Sequence, residues 1–190
     1  MSLLGAAQWL ADTPWSIALH ESIYGYPIIE SLHVWALCLF VGLAVVLDVR
    51  LTGLGFKSVP VSDITKRILP WTIAGFVILV VSGVLLVYAI PVRSYQNIFF
   101  RIKVIFLVLA GLNAWFFHSG IYRTVQQWNR SARVPRRARL AAAASLALWA
   151  SIIVLGRFIA YDWFDCDKPQ PKWVQIATGC SYDGHAYEVQ

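Results

Sequence analysis

The sequence predicts an all-α membrane protein, a four-transmembrane-helix bundle with an N-terminal interfacial helix and an outer C-terminal tail. Of its 190 residues, 58% are hydrophobic, and the mean hydropathy is +0.61, a composition typical of membrane proteins. Four apolar segments approach or exceed the roughly 20 residues that a helix needs to cross about 30 Å of hydrocarbon. They are too long and continuous for barrel strands, so helices must satisfy their backbone polar groups in lipid.

The part before the first apolar segment, residues 1–27, is expected to stay outside the membrane core. Thr13 and Pro14 predict the N-cap and the first position of a short helix. This helix is expected to run to about Tyr24 and to lie in the outer interface, because it carries several large apolar side chains.

The bundle itself is expected to occupy residues 28–161. Pro70 and Pro135 precede the second and fourth spans, in keeping with the tolerance of helix starts for proline. The four predicted spans are residues 28–49, 71–90, 98–121 and 140–160.

The basic residues predict which side of the membrane each loop occupies. They concentrate after the first span (Arg50, Lys57, Lys66, Arg67) and after the third (Arg123, Arg130, Arg133, Arg136, Arg137, Arg139). Since cytoplasmic loops of membrane proteins are enriched in Lys and Arg, we expect a bacterial inner-membrane protein with both termini in the periplasm. The net charge of +6 then reflects topology and contact with the lipid bilayer, and no nucleic-acid partner is expected.

The outer tail, residues 162–190, contains two cysteines, Cys166 and Cys180. An oxidising periplasm would permit a disulfide between them, and a metal site that adds His185 is the alternative. Cys38 lies within the first span and is expected to be a small buried apolar residue.

Two spans each carry a pair of ionisable residues that are fifteen positions apart. These pairs are His33 with Asp48 and Lys103 with His118. Fifteen helical residues rise about 22 Å and return to within about 60° of the starting direction, so each pair shares one broad helix face. Ionisable side chains are costly within a membrane and mark functional sites by default.

The outer members of these pairs predict a cofactor site. Imidazole is the usual haem ligand, so His33 is a candidate for the iron, with Lys103, Arg157 and Arg101 as partners for the propionates. His20 could supply a second axial ligand. The alternative is that His33 bonds to Glu30 or a backbone carbonyl while Lys103 reaches the surface water.

The inner members, Asp48 and His118, are expected at the same depth near the cytoplasmic side. They could form an ion pair that fixes the first helix to the third. A proton relay would use the same two residues, since histidine titrates near neutral pH.

Several motifs resemble a family of small bacterial four-helix membrane proteins known only as a domain of unknown function. The resemblance covers about residues 16–161 and rests on YPIIESLHVW (26–35), DVRLTG (48–53), LPWTIAGF (69–76), FRIK (100–103), GLNAWFFH (111–118) and GRFIAY (156–161). That family is loosely similar to copper-resistance membrane proteins and b-type cytochrome bundles. The resemblance implies an inner-membrane location and permits haem or copper.

Three functions follow as hypotheses. The leading one is a protein that binds one haem b, or a similar anionic redox cofactor, near the outer face and passes electrons to a periplasmic redox protein or membrane partner. The second is a small proton- or metal-coupled transporter, and the third is a membrane anchor for a periplasmic enzyme. An electron-transfer or anchoring subunit is expected rather than a stand-alone catalyst. Two haems are not expected, because the second and fourth spans contain no histidine.

Overall fold

In a computed structural model, the chain is described for residues 3–129, 134–161, 166 and 169–178. These residues contain helices and no strand. The α-helices are α1 (Leu3–Ala11), α2 (Pro14–His20), α3 (Gly25–Thr52), α4 (Val61–Ala89), α5 (Pro91–Gln96), α6 (Ile98–Phe116), α7 (Val125–Trp128), α8 (Arg136–Ala160) and α9 (Lys172–Thr178). A π-helical turn, Phe117–Ile121, and a 3-10 turn, Tyr122–Thr124, join α6 to α7.

Four helical segments are long and apolar enough to cross a membrane: Gly25–Thr52, Val61–Ala89, Ile98–Trp128 and Arg136–Ala160. The prediction of an all-α, four-helix, multi-pass membrane protein is therefore confirmed. The helices extend beyond the apolar segments into polar sequence. Pro70 lies inside α4 rather than at its start, as neighbouring structure in membrane helices often permits.

The four long helices pack in the order α4–α3–α8–α6. Helix α3 packs against both α4 and α8, and α6 packs against α8. Helices α3 and α6 make at most marginal backbone contact, as do α4 and α6. A side chain on α3 can therefore meet α4 or α8 more readily than α6.

A glycine and a cluster of rings set the packing midway along α3. A Cβ at Gly75 of α4 would lie 3.3 Å from the backbone nitrogen of Phe40, so α3 and α4 approach closely there. The Phe40 ring lies 5.4 Å from that of Phe76 and 4.9 Å from that of Trp149. These three rings form an aromatic layer across α3, α4 and α8.

The end of the bundle where α3 and α6 begin is called the terminal end here. Helix α2 begins at Pro14 as predicted, but it ends at His20, and α1 precedes it. Ser16 donates a 2.8 Å hydrogen bond to the carbonyl of Tyr88, which ties α2 to the end of α4. Trp9 and Trp15 are exposed, as expected of side chains at a membrane interface.

The opposite end, where α3 ends and α8 begins, is called the arginine-rich end. It holds a cluster of buried apolar residues: Leu51, Val61, Phe117, Val125, Trp128, Val134, Ala138 and Ala142. Asn129 joins this region by accepting a 2.8 Å hydrogen bond from the Ser62 amide. Nearer the bundle centre, Asn113 of α6 donates a 2.9 Å hydrogen bond to the Ala141 carbonyl of α8, which joins these two helices.

Candidate functional site

A polar contact inside the bundle joins His33 of α3 to Ser82 of α4. His33 Nδ1 lies 2.9 Å from Ser82 Oγ. Ser82 has one hydroxyl proton, and it donates this proton to the Ile78 carbonyl at 2.6 Å. The remaining role of Ser82 Oγ toward His33 is that of acceptor, so Nδ1 carries the imidazole hydrogen.

This arrangement fixes the state of the other ring nitrogen. With the hydrogen on Nδ1, Nε2 of neutral His33 presents a lone pair. His33 also has a backbone hydrogen bond with Leu79, one turn before Ser82 on α4. A histidine held in this way is oriented as metal-ligating histidines usually are, with its second nitrogen bonded to a neighbouring group.

Two glycines make room for the polar side chains. A Cβ at Gly83 of α4 would lie 3.1 Å from Cε1 of His33, so the imidazole packs directly against that backbone. A Cβ at Gly156 of α8 would lie 3.5 Å from Nζ of Lys103. The cluster of His33, Ser82, Gly83, Lys103 and Gly156, called the terminal site here, therefore draws on all four long helices.

Lys103 supplies the charge of the terminal site. It is half-buried, and its charge acts on His33 through space. Among the described residues, its ammonium group makes no hydrogen bond or ion pair. A cation within a membrane is expensive unless it is paired or hydrated, so Lys103 is suited to hold an anionic group.

The structure does not bring Arg157 into the terminal site, contrary to our expectation. Its side chain is exposed and stacks over the Tyr161 ring, with the guanidinium carbon 5.1 Å from the ring centre. The neighbouring Gly156 faces Lys103 instead. One residue turns an α-helix by about 100°, which explains why Arg157 points elsewhere.

Arg101 also has a different role from the expected anion clamp. Its Nε donates a 2.7 Å hydrogen bond to the Tyr95 carbonyl, and its guanidinium lies 4.4 Å from the Tyr95 ring centre. Its terminal nitrogens donate to the carbonyls of Ala177 and Thr178 at the end of α9. Arg101 thus fastens α9 to α6, as a cation at a helix C-terminus readily does.

His20, the proposed second axial ligand, is exposed at the end of α2. No contact joins it to His33 in the described part of the chain. Within those same residues there is no group of three or more His, Cys, Asp or Glu side chains that could hold a metal ion. A metal at the terminal site would therefore depend on His33 and on ligands that the metal brings with it.

The expected ion pair between Asp48 and His118 is not formed. Asp48 is 7% exposed, and Ser145 of α8 supplies a side-chain hydrogen bond to its carboxylate. His118 is exposed, and its Nδ1 lies 2.9 Å from the Ala114 carbonyl of its own helix. The prediction was wrong because α3 packs against α8 and not α6 at this level, and because His118 lies in a π-helical turn.

The arginine-rich end also contains two buried charged groups without full pairing. One oxygen of Asp48 and both terminal nitrogens of Arg50 are buried and have no hydrogen-bond partner within the described ranges. Arg50 Nε donates a 2.8 Å hydrogen bond to the Val59 carbonyl. Two residues turn a helix by about 200°, so Asp48 faces α8, Arg50 faces the loop before α4, and the two cannot meet.

The sequence interpretation missed the small residues that build these sites. Ser82, Gly83, Gly156 and Ser145 carry no charge, and small residues in membrane helices ordinarily indicate close packing. A signal was available, since Ser82 and Gly83 fall near the terminal end of α4 at the depth of His33. Helix packing order, which is absent from the sequence, was needed to connect them.

Of the three cysteines, Cys38 and Cys166 lie within the described residues. Cys38 is a free, exposed thiol on α3, so the expectation that it is buried was wrong. Cys180 and His185 lie outside the described residues. The disulfide between Cys166 and Cys180, like the alternative metal site, therefore stays a prediction.

Comparison with known families gives one assignment. Residues 19–162 match the model of a family of unknown function, DUF6644. The chain belongs to this family. No curated protein and no solved structure matches the chain. The comparisons do not support the expected similarity to copper-resistance proteins and b-type cytochromes.

Proposed function

We propose that this member of DUF6644 binds one haem b, or a similar anionic redox cofactor, at the terminal site and takes part in electron transfer. The observation that carries the proposal is the contact of His33 with Ser82, which leaves a lone pair on Nε2, together with the nearby Lys103 ammonium, which has no hydrogen-bond or ion-pair partner among the described residues. A lone pair suits a metal, and an unpaired cation suits a carboxylate.

The chemistry of the terminal site fits haem with a single protein ligand. When bound, haem supplies one-electron chemistry at an iron that imidazole commonly ligates. Ser82 holds the imidazole in the required tautomer, and Lys103 would pair with one propionate through a charge-assisted hydrogen bond.

The position of the terminal site indicates the side of the membrane on which the redox partner would lie. The terminal end is assigned to the outside because the arginine-rich end carries the loops expected in the cytoplasm. A bacterial inner-membrane location with both termini in the periplasm follows from that assignment. The redox partner would then be a periplasmic protein or another membrane protein that reaches the outer face.

Haem titration into the detergent-purified protein tests this proposal. The wild type should bind one equivalent and show the Soret band of histidine-ligated haem. His33→Ala should lose that band, whereas His20→Ala, which removes an exposed histidine at the same end, should retain it. A wild type that stays colourless after haem-replete expression and does not bind added haem would overturn the proposal.

Lys103 provides a second test that does not touch the iron ligand. Lys103→Met should weaken haem binding by about tenfold, the loss expected for one charge-assisted contact of roughly 1.5 kcal/mol. Lys103→Arg keeps the charge and should keep most of the affinity. Equal affinities for all three proteins would remove Lys103 from the site.

A proton-coupled transporter is a second candidate, favoured by Asp48. Its carboxylate is buried and receives a hydrogen bond from Ser145, and its other oxygen has no partner in the part of the chain that the structure describes. Such a carboxylate can take up and release a proton within a membrane. The aromatic layer of Phe40, Phe76 and Trp149 lies between Asp48 and His33, so a path through the bundle would require these rings to move.

Proton movement in vesicles containing the purified protein tests the second candidate. Asp48→Asn should abolish proton-coupled uptake, and Asp63→Asn, which changes an exposed carboxylate of the same end, should not. If wild-type vesicles and protein-free vesicles leak protons at the same rate under every substrate tested, the transporter candidate fails.

A further inference from the structure

A cavity between α3 and α8 opens at the arginine-rich end, far from the terminal site. Its volume is about 350 Å³, and its walls are formed by Thr52, Arg136, Arg139, Leu140 and Ala143. We propose that this cavity binds an anionic phospholipid, with the first part of an acyl chain against Leu140 and Ala143 and the phosphate headgroup held by Arg136 and Arg139 at the cavity mouth.

The charge around the cavity favours an anion with several oxygen atoms. Arg136 and Arg139 are both exposed and three residues apart on the first turn of α8, so they lie on one helix face. Guanidinium groups bind phosphate through two parallel hydrogen bonds. None of the five residues that form the walls is acidic.

The start of α8 adds to this positive potential. The N-cap residue, Pro135, makes no side-chain cap hydrogen bond, and the first turn contains no acidic residue. Within the described part of the chain, no side chain therefore compensates the positive end formed by the first backbone amides of this 25-residue helix. Such a helix end attracts phosphate, here beside two arginines and a cavity.

The apolar wall favours a lipid over a soluble phosphate. Leu140 is 71% exposed, and Ala143 is exposed on the same face one turn further into the span. A phosphate held at the arginines would therefore be continuous with a surface suited to an acyl chain. Basic pockets between membrane helices commonly bind anionic headgroups in this way.

This inference does not depend on the proposed cofactor. The cavity begins beside Thr52, and His33 lies nineteen residues earlier on α3, or about 28 Å along the helix. The aromatic layer lies between the two regions. Loss of haem binding would leave the lipid site intact, and the reverse also holds.

Thermal unfolding in detergent, with added lipid, tests the proposal. Phosphatidylglycerol should raise the unfolding temperature of the wild type, while phosphatidylcholine, which has no net charge, should give little change. Inorganic phosphate at the same concentration should also give little change. A shift with inorganic phosphate as large as that with phosphatidylglycerol would overturn the assignment of the site to a lipid.

Paired charge variants locate the binding. In native mass spectrometry, Arg136→Gln/Arg139→Gln should bind phosphatidylglycerol about thirtyfold more weakly, since one basic residue at an anionic surface contributes about fivefold. The control Arg67→Gln/Arg137→Gln removes two exposed cations of the same end that do not line the cavity, and it should change binding much less. Equal losses in the two doubles would indicate general surface attraction and overturn the site.

A charge-preserving variant protects the test against a failure to fold. Ala143→Leu fills the cavity while keeping both arginines, and it should also weaken phosphatidylglycerol binding. Ala144→Leu adds the same volume at the next exposed position, outside the cavity walls, and should not. If Ala143→Leu folds and binds the lipid like the wild type, the cavity is not the site.

Discussion

The two polar regions on α3 both place an ionisable side chain inside the bundle, but the two side chains have different partners. At the terminal end, a neutral His33 bonds to Ser82 and lies near the cation Lys103, which has no partner among the residues that the structure describes. At the arginine-rich end, the carboxylate of Asp48 accepts a hydrogen bond from the hydroxyl of Ser145 on α8.

This difference shows how one helix, α3, can place polar residues against two neighbouring helices. His33 and Asp48 are fifteen residues apart, and the resulting turn of about 60° changes the neighbouring helix from α4 to α8. Because α3 packs against both helices, each polar residue finds a hydroxyl. Of these two ends, only the terminal end also contains a cation from α6, Lys103, which lies beside Gly156 of α8. The terminal end is therefore the better candidate for binding an anion.

The largest effect is expected from Lys103→Met. Removing an unpaired cation from the membrane should raise the free energy of unfolding of the cofactor-free protein by about 2 kcal/mol. Chemical or thermal unfolding in one detergent measures this change. Arg157→Met, which removes an exposed and stacked cation, should change stability by less than about 0.5 kcal/mol. A destabilised Lys103→Met protein would mean that Lys103 has a partner in the folded state.

The second effect concerns the hydroxyl partner of Asp48. Ser145→Ala should lower the free energy of unfolding by roughly 1–2 kcal/mol, because a buried carboxylate then loses its hydrogen bond. Ser151→Ala, where the hydroxyl bonds only to its own helix, is the control and should have little effect. If the two variants unfold at the same temperature, the contact between Asp48 and Ser145 contributes nothing measurable.

The third effect separates the two glycines of the terminal site. Gly83→Ala should cost about 1 kcal/mol and weaken cofactor binding, because its methyl group would press on the His33 ring. Gly156→Ala should be tolerated, since its Cβ would be at ordinary contact distance from Lys103. The reverse ranking in unfolding and haem titration would contradict the packing of His33 on α4.

The smallest effect is expected at His118. His118→Gln should change stability by less than about 0.5 kcal/mol, because the ring is exposed and bonds only to its own helix. It should leave both haem binding and proton movement unchanged. A loss comparable to that of Asp48→Asn would restore the ion pair or relay that the sequence suggested.

The fold was largely predictable, and the helix ends were not. Four long apolar segments predict four membrane-spanning helices, because a helix satisfies its backbone hydrogen bonds within the segment and leaves none unpaired in lipid. Polar sequence on either side gives no comparable signal, so the ten residues of α4 from Val61 to Pro70 were not assigned to the helix. Helix α1 was missed for a related reason, since its nine residues have no cap or proline signal.

The terminal site was half predictable. Matching depths placed His33 and Lys103 at one level, and the structure has them within electrostatic range. Depth alone does not give direction around a helix. Arg157 has the right depth but the wrong direction, and Arg101 is used to hold α9.

By itself, the sequence determined the number of membrane helices and the depth of each ionisable residue within them, because hydrophobicity and helical rise are local properties. The tertiary structure decided which residues meet. In the packing order α4–α3–α8–α6, His33 lies beside Ser82, Asp48 beside Ser145 and Lys103 beside Gly156. Which residues of different helices come into contact depends on how whole helix surfaces pack, and the sequence of one segment does not determine that packing.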